Sequence, residues 1–320
     1  MATMDNSTPP ITAAAIAKSL FAGGVAGGLS RTAVAPLERL KILMQVQGNN
    51  KLYTGVWQGL MYMARKEGIR GMMKGNGTNC ARIIPNSAVK FFAYEHMASA
   101  VSKLSGDGQM TPLSRLVAGA GAGIIAMSAT YPLDMVRGRL TIQEGTGMYS
   151  GMLHATQMIV REEGLMALYK GWVPSVIGVV PYVGLNFAVY GTMKDIMMHY
   201  FDVPREQDLS VVTKLGCGAV AGTVGQTVAY PFDVARRRLQ MVGMQNAAMA
   251  QIQHTHSEGP MLYTGMIDCF VKTVRHEGTT ALFKGLMPNY VKVVPSIAIA
   301  FVTYEKLKEW MHVEIYISSS

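Results

Sequence analysis

One six-residue pattern occurs three times in this chain and constrains its fold more than any other feature. Each copy has a proline, an acid two positions later and a base three positions after the acid: Pro36–Lys41, Pro132–Arg137 and Pro231–Arg236. The prolines are 96 and 99 residues apart. This regular recurrence predicts three equivalent units rather than unrelated domains. Because each copy ends a long apolar stretch, we expect helix kinks at Pro36, Pro132 and Pro231.

Two apolar segments in each unit predict an all-α membrane protein. Their approximate limits are 18–47, 76–101, 111–143, 173–200, 209–241 and 286–311. Each is long enough to cross a hydrocarbon core about 30 Å thick, which takes roughly 20 helical residues. Only 15% of the residues are charged, against about 25% in soluble domains. We divide the chain into a flexible N-terminus, three repeats and a C-terminal tail: residues 1–17, 18–110, 111–207, 208–312 and 313–320.

A second shared block connects the two long segments of each unit. It begins with Tyr-Thr/Ser-Gly, contains a Glu-Gly pair and ends with Lys-Gly. The Tyr, Glu and Lys of these motifs are Tyr53, Glu67 and Lys74 in the first unit, Tyr149, Glu163 and Lys170 in the second, and Tyr263, Glu277 and Lys284 in the third. The intervening residues predict a short amphipathic helix along the membrane surface. The third unit has a 15-residue insertion within residues 242–260, which we interpret as a mobile loop. Its His254 and His256 alone do not predict a metal site.

The composition narrows the class of function. The formal net charge is +9, but no zinc-finger spacing, aromatic RNA-binding motif or clustered basic helix predicts nucleic-acid binding. An anion-binding cavity and basic loops on one side explain the charge better. Because the basic residues concentrate in the blocks between the helices, the positive-inside rule places both termini on the opposite side. No nucleophile–base pair, metal cluster or carboxylate dyad predicts an enzyme, and a scaffold would not need three matched acid–base pairs. We expect no cofactor and no metal.

The three proline patterns, each followed by Glu-Gly and an aromatic-Lys-Gly ending, resemble the mitochondrial carrier family from about Lys18 to Met311. One departure is Met73, which stands where Tyr169 and Phe283 supply an aromatic. The resemblance implies six transmembrane helices in a threefold pseudosymmetric barrel, with three short surface helices. It implies transport by alternating access through one central site in the inner mitochondrial membrane, with both termini toward the intermembrane space. We expect a monomer in the lipid bilayer.

The resemblance also implies two gates. On the matrix side, the acid of each unit would pair with the base of the next: Glu38 with Arg137, Asp134 with Arg236, and Asp233 with Lys41. On the opposite side the family carries aromatic-acid-x-x-base on the even-numbered helices, and this chain has it complete only at Tyr304–Lys308. Because the first unit lacks the base and the second has Gly191 in place of the acid, we predict a weaker cytoplasmic gate. Its residues are Glu95, Lys194, Glu305 and Lys308.

The even-numbered helices align through Pro85, Pro181 and Pro295. Three positions earlier stand Arg82, Gly178 and Lys292, where the family contacts its substrate. Both Arg82 and Lys292 are suited to bind phosphates. Arg82 can donate two parallel hydrogen bonds, and Lys292 can act as a point charge. Gly178 and the following Val179 resemble the adenine contact of nucleotide carriers. Helical spacing and one residue of the first helix complete the predicted substrate site: Arg31, Asn79, Asn86, Lys90, Tyr182, Asn289 and Ser296.

Several of these assignments have structural alternatives. Asn79 and Asn289 could satisfy backbone groups near the prolines, and Tyr182 could stack on a base or simply pack between helices. The segments Gly75–Arg82 and Ala126–Pro132 resemble the plant-type adenine nucleotide transporter branch of the family, whereas Arg236–Met241 departs from the ADP/ATP carrier signature. The resemblance implies exchange of ATP, ADP and AMP. Coenzyme A is the alternative substrate, because its 3′-phospho-ADP moiety suits the same cations.

Overall fold

The computed structural model describes residues 13–48, 52–104, 111–143, 148–205, 208–243 and 263–311. In these ranges the chain forms eleven α-helices and two 3₁₀-helices, without a β-strand. The all-α prediction is therefore confirmed for this part of the chain. The predicted C-terminal tail and nearly all of the insertion, including His254 and His256, lie outside the described residues.

The first unit contains five helices: α1 (Ala13–Ala33), α2 (Ala35–Val46), α3 (Val56–Met72), α4 (Asn76–Ala81) and α5 (Ile83–Leu104). Helix α1 begins five residues before the predicted boundary at Lys18. The first long segment is interrupted at Val34, two residues before Pro36. A proline lacks the N–H that would bond to the carbonyl four residues earlier, and this favours a break there.

The second and third units each have two long helices and a short connecting pair. They comprise α6 (Pro112–Ile142), α7 (Met152–Glu163), a 3₁₀-helix (Leu165–Tyr169) and α8 (Trp172–Tyr200), followed by α9 (Val211–Met241), α10 (Met266–Glu277), a 3₁₀-helix (Thr279–Phe283) and α11 (Leu286–Trp310). Pro132 and Pro231 lie inside α6 and α9, which continue past them. Of the three prolines predicted to kink a helix, only Pro36 adjoins an interruption.

The long helices form a closed ring of neighbours. Helix α11 packs along α1, α5 along α6, and α8 along α9. Further contacts join α1 to α5, α6 to α8, and α9 to α11. A core of buried apolar side chains, including Leu40, Met63, Met135 and Ile159, lies where α2 and α6 meet the short helices α3 and α7. The ring therefore surrounds an interior that is packed at one end by the proline-pattern segments.

Within the described ranges, three segments are long and apolar enough to span a membrane by length and composition: Leu113–Ile142, Leu165–Tyr200 and Thr279–Trp310. The other long segments carry more interruptions or charges. The first is divided at Val34, and α9 contains Asp233 and the basic run Arg236–Arg238. These charges meet their partners on other helices, as described below, while large apolar side chains such as Phe92 and Phe301 are exposed.

The glycines of the Lys-Gly endings allow the even-numbered helices to begin close to the odd-numbered ones. Gly285 has a φ of +86°, in the left-handed region, and a Cβ there would lie 2.8 Å from the carbonyl oxygen of Lys41. Gly171 has the same φ, and a Cβ there would lie 2.8 Å from the carbonyl oxygen of Arg236. Both the backbone conformation and the close approach therefore require glycine.

We expect Gly285→Ala to destabilise the protein by about 2–4 kcal/mol, because it combines left-handed strain with a clash against a carbonyl. The measurement is the thermal unfolding midpoint of the purified protein in detergent. Gly265→Ala is the matched control, since Gly265 has an extended φ of −176° and open space around its Cβ position. Equal midpoints for the two variants would contradict this reading of the turn.

Candidate functional site

The acids and bases of the three proline patterns meet where α2, α6 and α9 converge. Each acid contacts the base of the next unit: Glu38 and Arg137 at 2.9 Å, Asp134 and Arg236 at 2.7 Å, and Asp233 and Lys41 at 3.2 Å. We call these six residues the ion-pair triangle. The structure thus brings the six together in the order that the resemblance implied, and their function as a gate stays a prediction.

The three acids of the triangle have unequal surroundings. The side chain of Asp134 is 1% exposed, and it also contacts Arg237 at 3.2 Å and Arg82 at 3.3 Å. Gln240 donates a hydrogen bond of 3.0 Å to the same carboxylate. Asp134 is therefore the most enclosed and most heavily paired acid of the triangle.

The other two acids are more accessible. Glu38 is 20% exposed and binds Lys292 in addition to Arg137. Asp233 is 35% exposed, and its second partner in the described residues is Gln226, which donates a hydrogen bond of 3.3 Å. Two acids of the triangle therefore contact a cation from the predicted substrate site, and Asp233 does not.

Tyrosines that precede two of the prolines support the bases of the triangle. Arg236 lies over the ring of Tyr131 at 5.3 Å, and Lys41 lies over the ring of Tyr230 at 5.4 Å. The Tyr131 hydroxyl donates to the carbonyl of Lys170, and that of Tyr230 to the carbonyl of Lys284. The first unit has Ala35 at the equivalent position. Cation–π contacts therefore stabilise two of the three pairs.

Sequence reasoning missed these supporting residues, although comparison of the repeats carried a signal for some of them. Gln45 and Gln240 stand nine positions after their prolines. Gln45 donates to the Tyr230 hydroxyl at 3.1 Å, and Gln240 donates to that of Tyr131 at 3.2 Å. Arg237, which follows a base of the triangle, offered no such signal, because its equivalents in the other units are Ile42 and Gly138.

A second threefold set of charges, which we call the charge belt, attaches each of the short helices α3, α7 and α10 to its own unit. Its carboxylates come from the Glu-Gly pairs, and each binds an arginine and a lysine of the same unit. The three groups are Glu67 with Arg39 and Lys74, Glu163 with Arg139 and Lys170, and Glu277 with Arg238 and Lys284. All three arginines are buried.

The belt also joins each unit to the next one. The Nε of Arg39 donates to the carbonyl of Thr141, that of Arg139 to Gln240, and that of Arg238 to Gln45, at distances of 2.9, 3.2 and 3.2 Å. The lysines reach carbonyls two or three residues beyond these: Lys74 to Gln143, Lys170 to Val242, and Lys284 to Gly48. Cations at helix C-termini satisfy free carbonyls and oppose the helix dipole.

The belt carboxylates remain ionised at neutral pH. Burial alone would raise the pKa of Glu277, but hydrogen bonds from Arg238 and Lys284 hold that pKa below its ordinary value. The pKa values of Glu67 and Glu163 are lowered in the same way by their arginines and lysines. Their contribution to stability is therefore present above the ordinary carboxylate pKa of about 4.3 and is lost as the pH falls through the lowered values.

A cavity of about 400 Å³ adjoins the ion-pair triangle. Its lining contains four cations, Arg31, Arg82, Arg137 and Lys292, and one carboxylate, that of Glu38. Neutral lining comes from Val34, Asn79, Val293, Ser296 and Ile297. Cations that converge in a cleft of low dielectric constant raise the local concentration of anions. The cavity therefore suits a ligand with several negative charges.

Five residues of the predicted substrate site line this cavity: Arg31, Asn79, Arg82, Lys292 and Ser296. Arg31 donates a hydrogen bond of 3.2 Å to the Oδ1 of Asn79. The hydroxyl of Ser296 lies 2.9 Å from that of Ser30, which joins α11 to α1. The polar neighbours thus hold the cations between α1, α4 and α11.

The other predicted substrate residues lie outside the lining of this cavity. Gly178 packs against α9, where a Cβ would lie 3.0 Å from the Cβ of Phe232. Asn86 accepts a hydrogen bond of 3.2 Å from Thr130, and Asn289 is buried. The remaining three are Val179, which is half-buried, and Tyr182 and Lys90, which are exposed. Their contact with a substrate stays a prediction.

The predicted cytoplasmic gate residues lie toward the far ends of α5, α8 and α11. The ammonium group of Lys308 is 5.8 Å from the centre of the Tyr304 ring. Glu95 and Glu305 are exposed, and Lys194 is half-buried. The pairing of Glu95 with Lys194 stays a prediction.

Comparisons with known proteins agree with this arrangement. The family model described as "Mitochondrial carrier protein" matches residues 13–105, 108–201 and 207–314. A mitochondrial adenine nucleotide transporter of Arabidopsis thaliana is 60% identical over 95% of this chain and 89% of its own length. Mitochondrial adenyl nucleotide antiporters of Homo sapiens and Bos taurus are 41% and 38% identical, over 91% and 92% of this chain. The chain spans 58% of the length of each of these two antiporters.

Proposed function

The chain belongs to the mitochondrial carrier family, and on that premise we propose that it exchanges ATP, ADP and AMP by alternating access through its central cationic site. The observation that carries the proposal is the cavity beside the ion-pair triangle, where four cations face one carboxylate. Hydrogen bonds from cationic side chains to phosphate are stronger than those between neutral groups, and an arginine can donate two of them at once. The relatives named as adenine nucleotide transporters and antiporters support the same substrate class.

The proposal includes an architecture. Six transmembrane helices (α1 with α2, α4 with α5, α6, α8, α9 and α11) form a threefold pseudosymmetric barrel in the inner mitochondrial membrane. The short helices α3, α7 and α10 lie on its surface. The closed ring of helix contacts and the charge belt support this arrangement of three repeats, 18–110, 111–207 and 208–312. The basic blocks face the matrix, both termini face the intermembrane space, and the carrier works as a monomer in the bilayer.

Within this barrel, the phosphates bind Arg82 and Lys292, and Arg31 adds positive charge nearby. The base binds beside Gly178, Val179 and Tyr182. Asn79, Asn86, Lys90, Asn289 and Ser296 complete the site. The ion-pair triangle closes the matrix side, and the smaller set of Glu95, Lys194, Glu305 and Lys308 closes the other. Alternation of these two closures would move a bound nucleotide across the membrane.

Counter-exchange in proteoliposomes tests the proposal. Vesicles loaded with ATP, ADP, AMP or coenzyme A are supplied externally with radiolabelled AMP or ATP, and uptake is measured. We expect fast uptake into vesicles loaded with adenine nucleotides and little into those loaded with coenzyme A. Uptake driven by coenzyme A alone would favour the alternative substrate, and uptake that does not depend on any internal substrate would contradict exchange.

The incomplete cytoplasmic gate gives a separate prediction. We expect Gly191→Asp to slow exchange by about fivefold, because the new acid can pair with Lys308 and a partly exposed pair contributes up to about 1 kcal/mol. The side chain fits, since no atom of the described residues lies within 4 Å of a Cβ at Gly191. Gly191→Asn is the neutral control of the same size. Identical exchange rates for the two variants would count against a gate at this position.

A further inference from the structure

The residue five positions before each pattern proline differs between the three units. It is Arg31 in the first unit, Met127 in the second and Gln226 in the third. Arg31 lines the cavity beside the ion-pair triangle. Because the three positions are equivalent in the repeats, Gln226 is the third unit's counterpart of a cavity residue, although it is not among the residues of the proposed substrate site.

The neighbours of α9 place Gln226 on the interior face of that helix. A Cβ at Gly225 would lie 3.0 Å from the carbonyl oxygen of Tyr182, so the residue before Gln226 faces α8. The hydroxyl of Thr227, the residue after it, forms a hydrogen bond with a hydroxyl of α11. Gln226 itself donates a hydrogen bond of 3.3 Å to Asp233, seven residues later on the same helical face. Gln226 therefore faces the inside of the ring, between α8 and α11.

The hydrogen bond to Asp233 fixes the orientation of the Gln226 amide. Asp233 pairs with Lys41 and is therefore a carboxylate, which can only accept hydrogen bonds. The Nε2 group of Gln226 must consequently be the end of the amide that faces Asp233. In the described part of the chain this is the one hydrogen bond of the Gln226 side chain. Its Oε1 atom is thus an oriented acceptor that other groups can use.

The residues proposed to bind the base lie beside this amide. Gly178 packs against Phe232 of α9, and Tyr182 packs against the residue before Gln226. Helices α8 and α9 are neighbours in the ring and lie across it from α1 and α5. A nucleotide whose phosphates bind the cations of the cavity would therefore extend its base toward α8 and α9.

We propose that Gln226 recognises the base of the nucleotide: its Oε1 accepts a hydrogen bond from the exocyclic N6 amine of adenine and repels a purine that has a carbonyl oxygen at that position. Amide side chains recognise adenine through the same amine in protein–DNA complexes. A freely turning amide could donate to a 6-carbonyl instead, but the bond to Asp233 opposes that rotation. The inference rests on the proposed function for its nucleotide substrate.

The Kd values of AMP and IMP test this recognition, because IMP has a carbonyl in place of the 6-amine. We expect the wild type to bind AMP about tenfold more tightly than IMP, since one hydrogen bond is gained with AMP and an acceptor is left unpaired with IMP. Gln226→Met should bring the ratio close to one. Methionine is similar in length, and the second unit has it at the aligned position. Titration calorimetry of the purified carrier in detergent provides the constants.

Thr227→Val is the matched control. It also removes a polar contact of α9, the hydrogen bond with Tyr290 of α11, but it lies on the side of the helix that faces away from α8. We expect it to keep the wild-type ratio of the two Kd values. If Gln226 acted only by supporting Asp233, Gln226→Met would change both Kd values by the same factor, and the ratio would not move.

A third ligand tests the inference in the wild type without any substitution. Purine riboside 5′-monophosphate has neither an amine nor a carbonyl at C6, so it can neither donate to Oε1 nor repel it. We expect its Kd to lie between those of AMP and IMP. A Kd equal to that of AMP would show that the amine is not recognised and would overturn the inference.

Three further results would overturn it: a wild type that binds neither AMP nor IMP, a wild type that binds both equally, or a Gln226→Met protein that keeps the wild-type ratio. The proposed function fails separately. Exchange of adenine nucleotides with a ratio that Gln226→Met does not change would leave only the function. Exchange of coenzyme A alone, with a ratio that depends on Gln226, would remove the function and leave recognition of an adenine group.

Discussion

Arg82→Gln is expected to reduce adenine-nucleotide exchange in proteoliposomes by about 100-fold, since hydrogen bonds between charged groups contribute up to about 3 kcal/mol. The substitution removes a guanidinium from the cavity lining and leaves Arg31, Arg137 and Lys292 as the remaining cations of that lining. Initial uptake of labelled ATP measures the effect. The unfolding midpoint of the same preparation shows whether the variant is folded.

Arg82→Lys provides the control for charge. Lysine keeps one positive charge but cannot make the planar bidentate contact, so we expect a rate between those of the wild type and Arg82→Gln. An Arg82→Gln protein that is folded and exchanges at the wild-type rate would remove Arg82 from the substrate site. A lysine variant as slow as the glutamine variant would assign the effect to geometry alone.

The largest expected effect on stability comes from the charge belt. Glu277→Ala should destabilise the protein by about 3–5 kcal/mol, because it leaves buried cations without their counter-charge. Its carboxylate is 1% exposed and binds both Arg238 and Lys284. Thermal unfolding in detergent at neutral pH is the measurement. We expect the midpoint to fall well below that of the wild type.

The same short helix offers a matched control. Asp268 also lies in α10 and pairs with Lys272 at 2.8 Å, but both side chains are substantially exposed. Asp268→Ala should therefore cost about 1 kcal/mol or less. If the two variants unfolded at the same temperature, the belt would be an ordinary surface feature, and its proposed part in joining the units would be wrong.

The six residues of the triangle were predictable because the proline pattern recurs three times, whereas the pairing of each acid with the base of the next unit was implied by the resemblance to the carrier family. Acid and base lie three positions apart on one helical face, and the recurrence of Pro36, Pro132 and Pro231 places the three faces in equivalent positions. The contacts from Arg82 and Lys292 to the same carboxylates were not predicted. They depend on how far two long side chains extend between helices, and residue spacing does not determine that distance.

The belt shows a different limit of sequence reasoning. Arg139 and Arg238 lie seven positions after their prolines, but the corresponding residue of the first unit is Leu43. Arg39, four positions before Leu43, binds Glu67 instead. Residues four positions apart lie on the same helical face, so an arginine moved by one turn can still reach the glutamate. An alignment of the repeats does not reveal this contact, because the arginine is not at the equivalent position.

Gly178 illustrates a third limit. Its alignment with Arg82 and Lys292, together with the resemblance of Gly178 and Val179 to the adenine contact of nucleotide carriers, predicts that an adenine base lies against it. Spacing along one helix contains no information about what a neighbouring helix inserts there. In the structure the Phe232 side chain of α9 lies against Gly178. Packing between α8 and α9 therefore occupies the face of Gly178 with Phe232, whereas the predicted adenine contact requires this backbone to be open to the base.

The belt runs in one direction around the molecule: the cations of the first unit reach the second, those of the second reach the third, and Arg238 returns to Gln45 of the first. The last repeat therefore binds a backbone carbonyl of the first, and the contacts of the belt close into a ring. A chain shortened by one repeat would leave backbone carbonyls without the cations that bind them. It would also leave a buried guanidinium without its hydrogen-bond acceptor. Each of the three similar units resembles a small domain in sequence. We nevertheless expect that none of them folds stably when it is separated from the other two.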